Sequence, residues 1–122
     1  MPEILVFEKV KAPWIKEGLD YYCKRTKTKV IHIKNLPQDT QNCILLSEDG
    51  KKISSKELSK LVQPNTRFII GPTDGFTKEQ KHKKTIISLS KMTFTHEMAT
   101  LFLAEQLYRA KMIHENRPYH RE

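Results

Sequence analysis

An open α/β sheet, mostly parallel and with helices on both faces, is the fold class this sequence predicts. Short runs rich in β-branched and aromatic residues recur along the chain, and helical periodicities fall between them. Turn or capping residues stand at most of the junctions, which is the pattern of alternating strands and helices. No internal repeat, low-complexity tract or linker interrupts it, so residues 1–122 read as one domain.

Taken in order, Ile4-Leu5-Val6-Phe7 is a short buried strand. Pro13 suits a first helical turn, and Trp14, Ile15, Gly18, Leu19 and Tyr22 repeat at helical spacing, predicting a helix to about Arg25. Val30-Ile31-His32-Ile33 is a second strand and Cys43-Ile44-Leu45-Leu46 a third, after which Glu48-Asp49-Gly50 turns the chain. Ser54-Ser55-Lys56-Glu57 has the form of a capping box, so a helix should follow to about Val62, before Gln63-Pro64-Asn65 stops it. Arg67-Phe68-Ile69-Ile70 is the next strand, and it runs into Gly71-Pro72-Thr73-Asp74-Gly75. Thr77-Lys78-Glu79-Gln80 repeats the capping-box pattern for a brief helix, and Thr85–Leu89 is the last strand. From about Thr95 to His114 a helical stripe runs through Met98, Leu101, Phe102, Ala104, Leu107, Tyr108 and Ile113.

Composition narrows the function. The formal charge is +8, from 22 Lys and Arg against 14 Asp and Glu. Between Lys9 and Lys34 lie eight basic side chains and two acidic ones; Lys78, Lys81, Lys83 and Lys84 form a second basic run, and Arg109, Lys111, Arg117 and Arg121 a third. Such an excess favours a polyanionic partner, because neutralising phosphates releases condensed counterions. The alternative is a solvated lysine-rich surface. No apolar run approaches the roughly 20 residues of a membrane span and the start lacks a signal-peptide core, so a cytoplasmic location without membrane association is expected. Cys23 and Cys43 have neither metal-ligand nor redox spacing and read as free buried thiols. Nor do the five histidines pair at ligand spacing, which argues against a metal centre.

In sheets of this kind the ligand site lies beyond the carboxyl ends of the strands. Three loops qualify: those after Leu46, Ile70 and Leu89. Gly71 to Gly75 gives backbone freedom for close approach, and Ser90 to Phe94 supplies amides, hydroxyls and a thioether, contents that suit a small polar ligand with an apolar face. Neither glycine-rich phosphate motif is present. His96, at the start of the last helix, either caps the turn or contacts ligand. Glu105 and Gln106 break the apolar stripe, as an exposed polar strip or as a contact for a partner helix. Tyr119-His120-Arg121 reads from the residues alone as a frayed end; an aromatic ring beside basic groups can also stack on a base while holding phosphate.

The run from Ile87 through Ser90-Lys91-Met92-Thr93-Phe94-Thr95-His96 into Ala104-Glu105-Gln106-Leu107-Tyr108-Arg109-Ala110, ending Pro118-Tyr119-His120, resembles the C-terminal signature of the RlmH family. Trp14, Gly18, Tyr21, Tyr22, Lys24 and Arg25 are similar to that family's first helix, Leu46–Lys51 to a strand and turn, and Phe68–Gly71 with Gly75 to its glycine loop. The resemblance implies a SPOUT-type fold with a C-terminal trefoil knot, a homodimer, and a methyltransferase that uses S-adenosylmethionine to methylate N3 of a pseudouridine in large-subunit ribosomal RNA, free or in the ribosome. It further implies that Leu46, Gly71, Leu89, Ser90, Lys91, Met92, Thr93 and Phe94 hold the methyl donor. Arg109, Tyr119 and His120 would serve catalysis, and Lys24, Arg25, His96 and Arg121 would face RNA. Three features depart from the family: the stretch between Ile33 and Cys43 is short, Pro72 stands where a glycine is usual, and Thr95 and Thr100 replace a common proline and arginine. The first two motivate the alternative of a catalytically degenerate ribosome- or RNA-binding dimer of the same fold.

Overall fold

A computed structural model describes residues 2–121. Five strands, β1 (Glu3–Val6), β2 (Lys29–His32), β3 (Cys43–Lys52), β4 (Arg67–Ile70) and β5 (Thr85–Ser88), form one sheet in the order β2-β1-β4-β3-β5. Every pairing is parallel. Because side chains alternate across a strand, the register sorts them into two faces. Ile31, Leu5, Ile69, Leu45 and Ile86 form one row straight across the sheet, and Val30, Ile4, Phe68 and Ile44 form the next row on the opposite face.

The helices α1 (Pro13–Thr26), α2 (Ser55–Leu61) and α4 (His96–His114) bury Ile15, Leu19, Leu58, Leu103, Ala104 and Leu107 against the Ile4–Phe68–Ile44 face. On the other face Leu5, Leu45 and Ile69 are covered by Phe7, Leu36 and Phe76 from connecting segments, while the one-turn α3 (Lys78–Lys81) has no buried residue. The expectation of helices on both faces is corrected accordingly, and the reason is chain length. From the end of β2 the chain must cross three inter-strand gaps and return along a strand, roughly 20 Å in all. Residues 33–42 cover that distance when extended at about 3.3 Å each, but would span only about 15 Å as a helix.

Both capping boxes form: Ser54 accepts from the Glu57 amide and Thr77 from the Gln80 amide, each with the reciprocal side-chain bond. Strand β3 extends further than its sequence indicated. The turn at Glu48-Asp49-Gly50 is an excursion, because Leu46 and Lys51 both stand opposite Ile87 and the strand resumes beside β5. Gly50 makes the return possible: a Cβ there would lie 2.6 Å from the Ile87 carbonyl carbon. The two thiols are free, Cys43 buried and Cys23 half-buried, and burial, with Asp20 adding to it, pushes Cys23 up to about 11.

Candidate functional site

The excursion within β3 and the loops after β4 and β5 converge on one cleft of about 1140 Å³ at the carboxyl ends of the strands. Leu46, Gly71, Leu89, Ser90, Met92, Thr93 and Phe94 all line it, as does His96; Lys91 is exposed and does not. Each lining segment is fixed locally. Gly71 has no room for a side chain, since a Cβ would meet the Phe76 ring at 2.9 Å. Pro72 accepts from the Gly75 amide at 2.8 Å and closes the turn after β4. Ser88 donates to the Ser90 carbonyl at 2.7 Å and Ser90 Oγ accepts from the Met92 amide at 3.0 Å, shaping the turn after β5. Thr95 caps α4 by accepting from Met98, and Phe94 packs edge-on against Phe102 at 4.8 Å.

Polar groups that the sequence did not single out hold these loops together. Glu8, just after β1, accepts from the Thr73 hydroxyl at 2.6 Å with one oxygen, and its other oxygen lies 2.7 Å from His96 Nδ1. Glu97 accepts from the amides of Lys11 and Ala12 at the start of α1. Those two amides are the main reason its carboxyl titrates below the usual range. Asp49, at the tip of the β3 excursion, is held below its usual value by Lys81 first and Ser47 second. Trp14 also lines the cleft and is 60% exposed. One signal for Glu97 was present: Ala12 precedes Pro13 and has no side-chain acceptor for the helix start, so an outside group must supply it.

The remaining expected residues gather away from the cleft, where α1 and α4 meet. Tyr119 donates to Glu105 at 2.7 Å, and Glu105 pairs with Arg109 at 2.8 Å. Arg109 lies over the Tyr119 ring, 4.8 Å from its centre, and donates to His120 Nδ1 at 3.2 Å. The tail through His120 is therefore docked rather than frayed. Burial and the Glu105 carboxylate raise the Tyr119 phenol well above its ordinary pKa, which keeps the hydroxyl protonated. Rings continue from Tyr119 to Tyr108 (4.9 Å), Tyr22 (5.9 Å) and Tyr21 (5.0 Å). Arg25 sits on Tyr21, 3.6 Å from the ring centre, and Lys24 pairs with Asp20 at 3.7 Å. Arg121 is exposed. Glu105 and Gln106 prove to be engaged within the chain, Gln106 accepting from Ser55 at 2.6 Å, rather than forming a free polar strip.

A sequence profile described as "Predicted SPOUT methyltransferase" matches residues 28–120. This chain belongs to the SPOUT methyltransferase family. It is 40% identical, over 97% of its length and 94% of the relative's, to "Ribosomal RNA large subunit methyltransferase H" of Prochlorococcus marinus strain MIT 9312. The same name is carried by a relative in strain NATL1A, 36% identical over 98% of this chain and 95% of the other. Among solved structures, a Bacillus anthracis protein provisionally titled an RNA methyltransferase superposes with a TM-score of 0.53 at 12% identity, covering 97% of this chain and 96% of that one. At that identity the likeness speaks to fold alone. SPOUT methyltransferases take their methyl group from S-adenosylmethionine.

Proposed function

We propose that this SPOUT methyltransferase transfers a methyl group from S-adenosylmethionine to N3 of a pseudouridine in large-subunit ribosomal RNA. The observation that carries the reading is the convergence of Leu46, Gly71 and the turn from Leu89 to Phe94 on one cleft, in a chain about 40% identical to relatives named for that RNA. The cleft fits the donor. Leu46, Ile70, Leu89 and Phe94 offer apolar surface for an adenine-sized group, while Thr73, Ser90 and Thr93 offer hydroxyls and amides for polar ends. When bound, the donor supplies an electrophilic methyl group. The chain's own residues position the acceptor and stabilise its charge as N3 loses a proton.

Arg109, Tyr119 and His120 do not line the cleft of their own chain. That separation supports a homodimer in which the tail of one copy completes the cleft of the other; a C-terminal trefoil knot rests on the family membership alone. Lys24, Arg25 and Arg121 lie at the same end as the tail and, with the net charge of +8, suit RNA phosphates. The target base must leave its stack to reach the cleft.

Calorimetric titration with S-adenosylmethionine, alongside Gly71→Trp, tests the donor site: one donor per chain, lost in the variant, is expected. Tritium transfer to large-subunit RNA, followed by nucleoside analysis, then tests the substrate. The degenerate, RNA-binding alternative draws on Pro72, which lines the cleft without an amide to donate. Absence of donor binding at millimolar concentration, restored by Pro72→Gly, would favour it.

A further inference from the structure

Methylation at N3 requires the N3 proton to leave, and none of the tail residues is arranged to take it. Tyr119 is held protonated while donating to Glu105, and His120 Nδ1 is occupied by Arg109. In the cleft, Glu97 is committed to two backbone amides and Asp49 to Lys81 and Ser47, while Glu48 and Asp74 line it as exposed carboxylates. His96 is the one histidine among the described residues that lines the cleft. Its Nδ1 faces a Glu8 oxygen at 2.7 Å, and the other Glu8 oxygen is anchored by Thr73. The contact is not aligned as a hydrogen bond, because this Glu8 oxygen has no hydrogen-bond partner. A lone pair on Nδ1 would still repel the carboxylate at that distance, so the neutral ring favours Nδ1–H and Nε2 carries the lone pair. Nε2 makes no hydrogen bond among the described residues.

We infer that His96 is the general base of the methyl transfer and that Glu8 is the residue that positions it, an assignment that rests on the methyltransferase reading of the cleft. The N3–H bond breaks and the proton passes to Nε2; the electron pair left on N3 forms the N3–methyl bond as the donor's sulfur–methyl bond breaks, its electron pair leaving on sulfur as a neutral thioether. The resulting imidazolium faces the Glu8 carboxylate until the proton is released to water with the product. The charged groups on the elements that meet at His96 are Glu8 and Lys11 before α1, Glu97 beside it on α4, and Asp74 in the loop after β4. Of these, only Glu8 is placed on the ring nitrogen.

The test combines single-turnover transfer of tritium-labelled methyl to large-subunit RNA, as a function of pH, with nitrogen-detected NMR of the histidine rings. His96→Gln should lose about 100-fold in rate while donor affinity falls far less. Neutral His96 is the active form, so the rate should rise with pH through the imidazolium titration. NMR should find the Nδ1–H tautomer in the wild type and a mixture in Glu8→Gln. An active wild type whose His96→Gln variant keeps its rate would overturn the assignment, as would an Nε2–H tautomer. A wild type that pairs Glu8 with His96 but moves no methyl to RNA would instead remove the methyltransferase reading, and the base assignment with it.

Discussion

Thr100 illustrates what one position can carry. Where the family commonly has an arginine, this side chain is fully buried and its hydroxyl donates to the His96 carbonyl at 2.7 Å. Arginine there would strand a charge in the α1–α4 core, so Thr100→Arg should cost about 3 kcal/mol or more in urea denaturation. At Glu97 the consequence is pH dependence. Its carboxyl titrates below the usual 4.5 because two amides favour the ionised form. A depressed folded pKa stabilises the protein above the unfolded value, and that stability is lost as pH falls through the folded one. Glu97→Gln should therefore lower Tm at neutral pH, and the gap from wild type should close on acidification below about 4.5. In the tail, Tyr119→Phe removes the donor to Glu105 and leaves the stacking with Tyr108. Its effect belongs in kcat for RNA methylation rather than in donor affinity, and equal loss in both would contradict the proposed role.

At the scale of elements, β3 is the most informative. A glycine inside a strand usually weakens it, but Gly50 is where the backbone returns to Ile87 after its excursion. Gly50→Val should destabilise the fold by about 1–3 kcal/mol as the β3–β5 ladder is forced apart, measured by chemical denaturation. This is also where sequence reading ran short. Periodicity found every helix and strand, because the hydrophobic stripe and the capping residues are local signals: Ser54 with Glu57, Thr77 with Gln80, Pro13 at the first turn. The resumption of β3 depends on a partner 36 residues away in sequence, Lys51 with Ile87, and no local pattern encodes it. The loops that line the cleft were legible as strand ends with suitable residues. Glu8 and its partner Thr73 were not, because a carboxylate that bridges distant loops has the same sequence surroundings as any exposed acid. For Glu97 the one signal was the uncapped start of α1 at Ala12.

For the whole molecule the proposed arrangement has a simple complementation test. Gly71→Trp disables a cleft and His120→Ala disables a tail. If each tail serves its partner's cleft, equal mixing with subunit exchange should restore about a quarter of wild-type activity, since half the dimers are mixed and each has one complete site. A tail acting only within its own chain would restore none. Salt dependence gives a second measurement on the same assembly. Lys24→Ala should lower the slope of log affinity for RNA against log salt by about 0.7–0.9 if it meets one phosphate.

The two ends of α1 are anchored in different places. At its start the Lys11 and Ala12 amides are held by Glu97 on the rim of the cleft; at its finish the Arg25 carbonyl accepts from Lys111 at 2.7 Å and Tyr22 packs on Tyr108. A helix of 14 residues is a rod of about 21 Å. Thus α1 works as a ruler, setting the distance from the cleft rim to the basic, aromatic end of the molecule by counting residues. Lengthening it by one turn would move those two surfaces apart by about 5.4 Å, a displacement on the scale of a nucleotide, without altering a single residue in either.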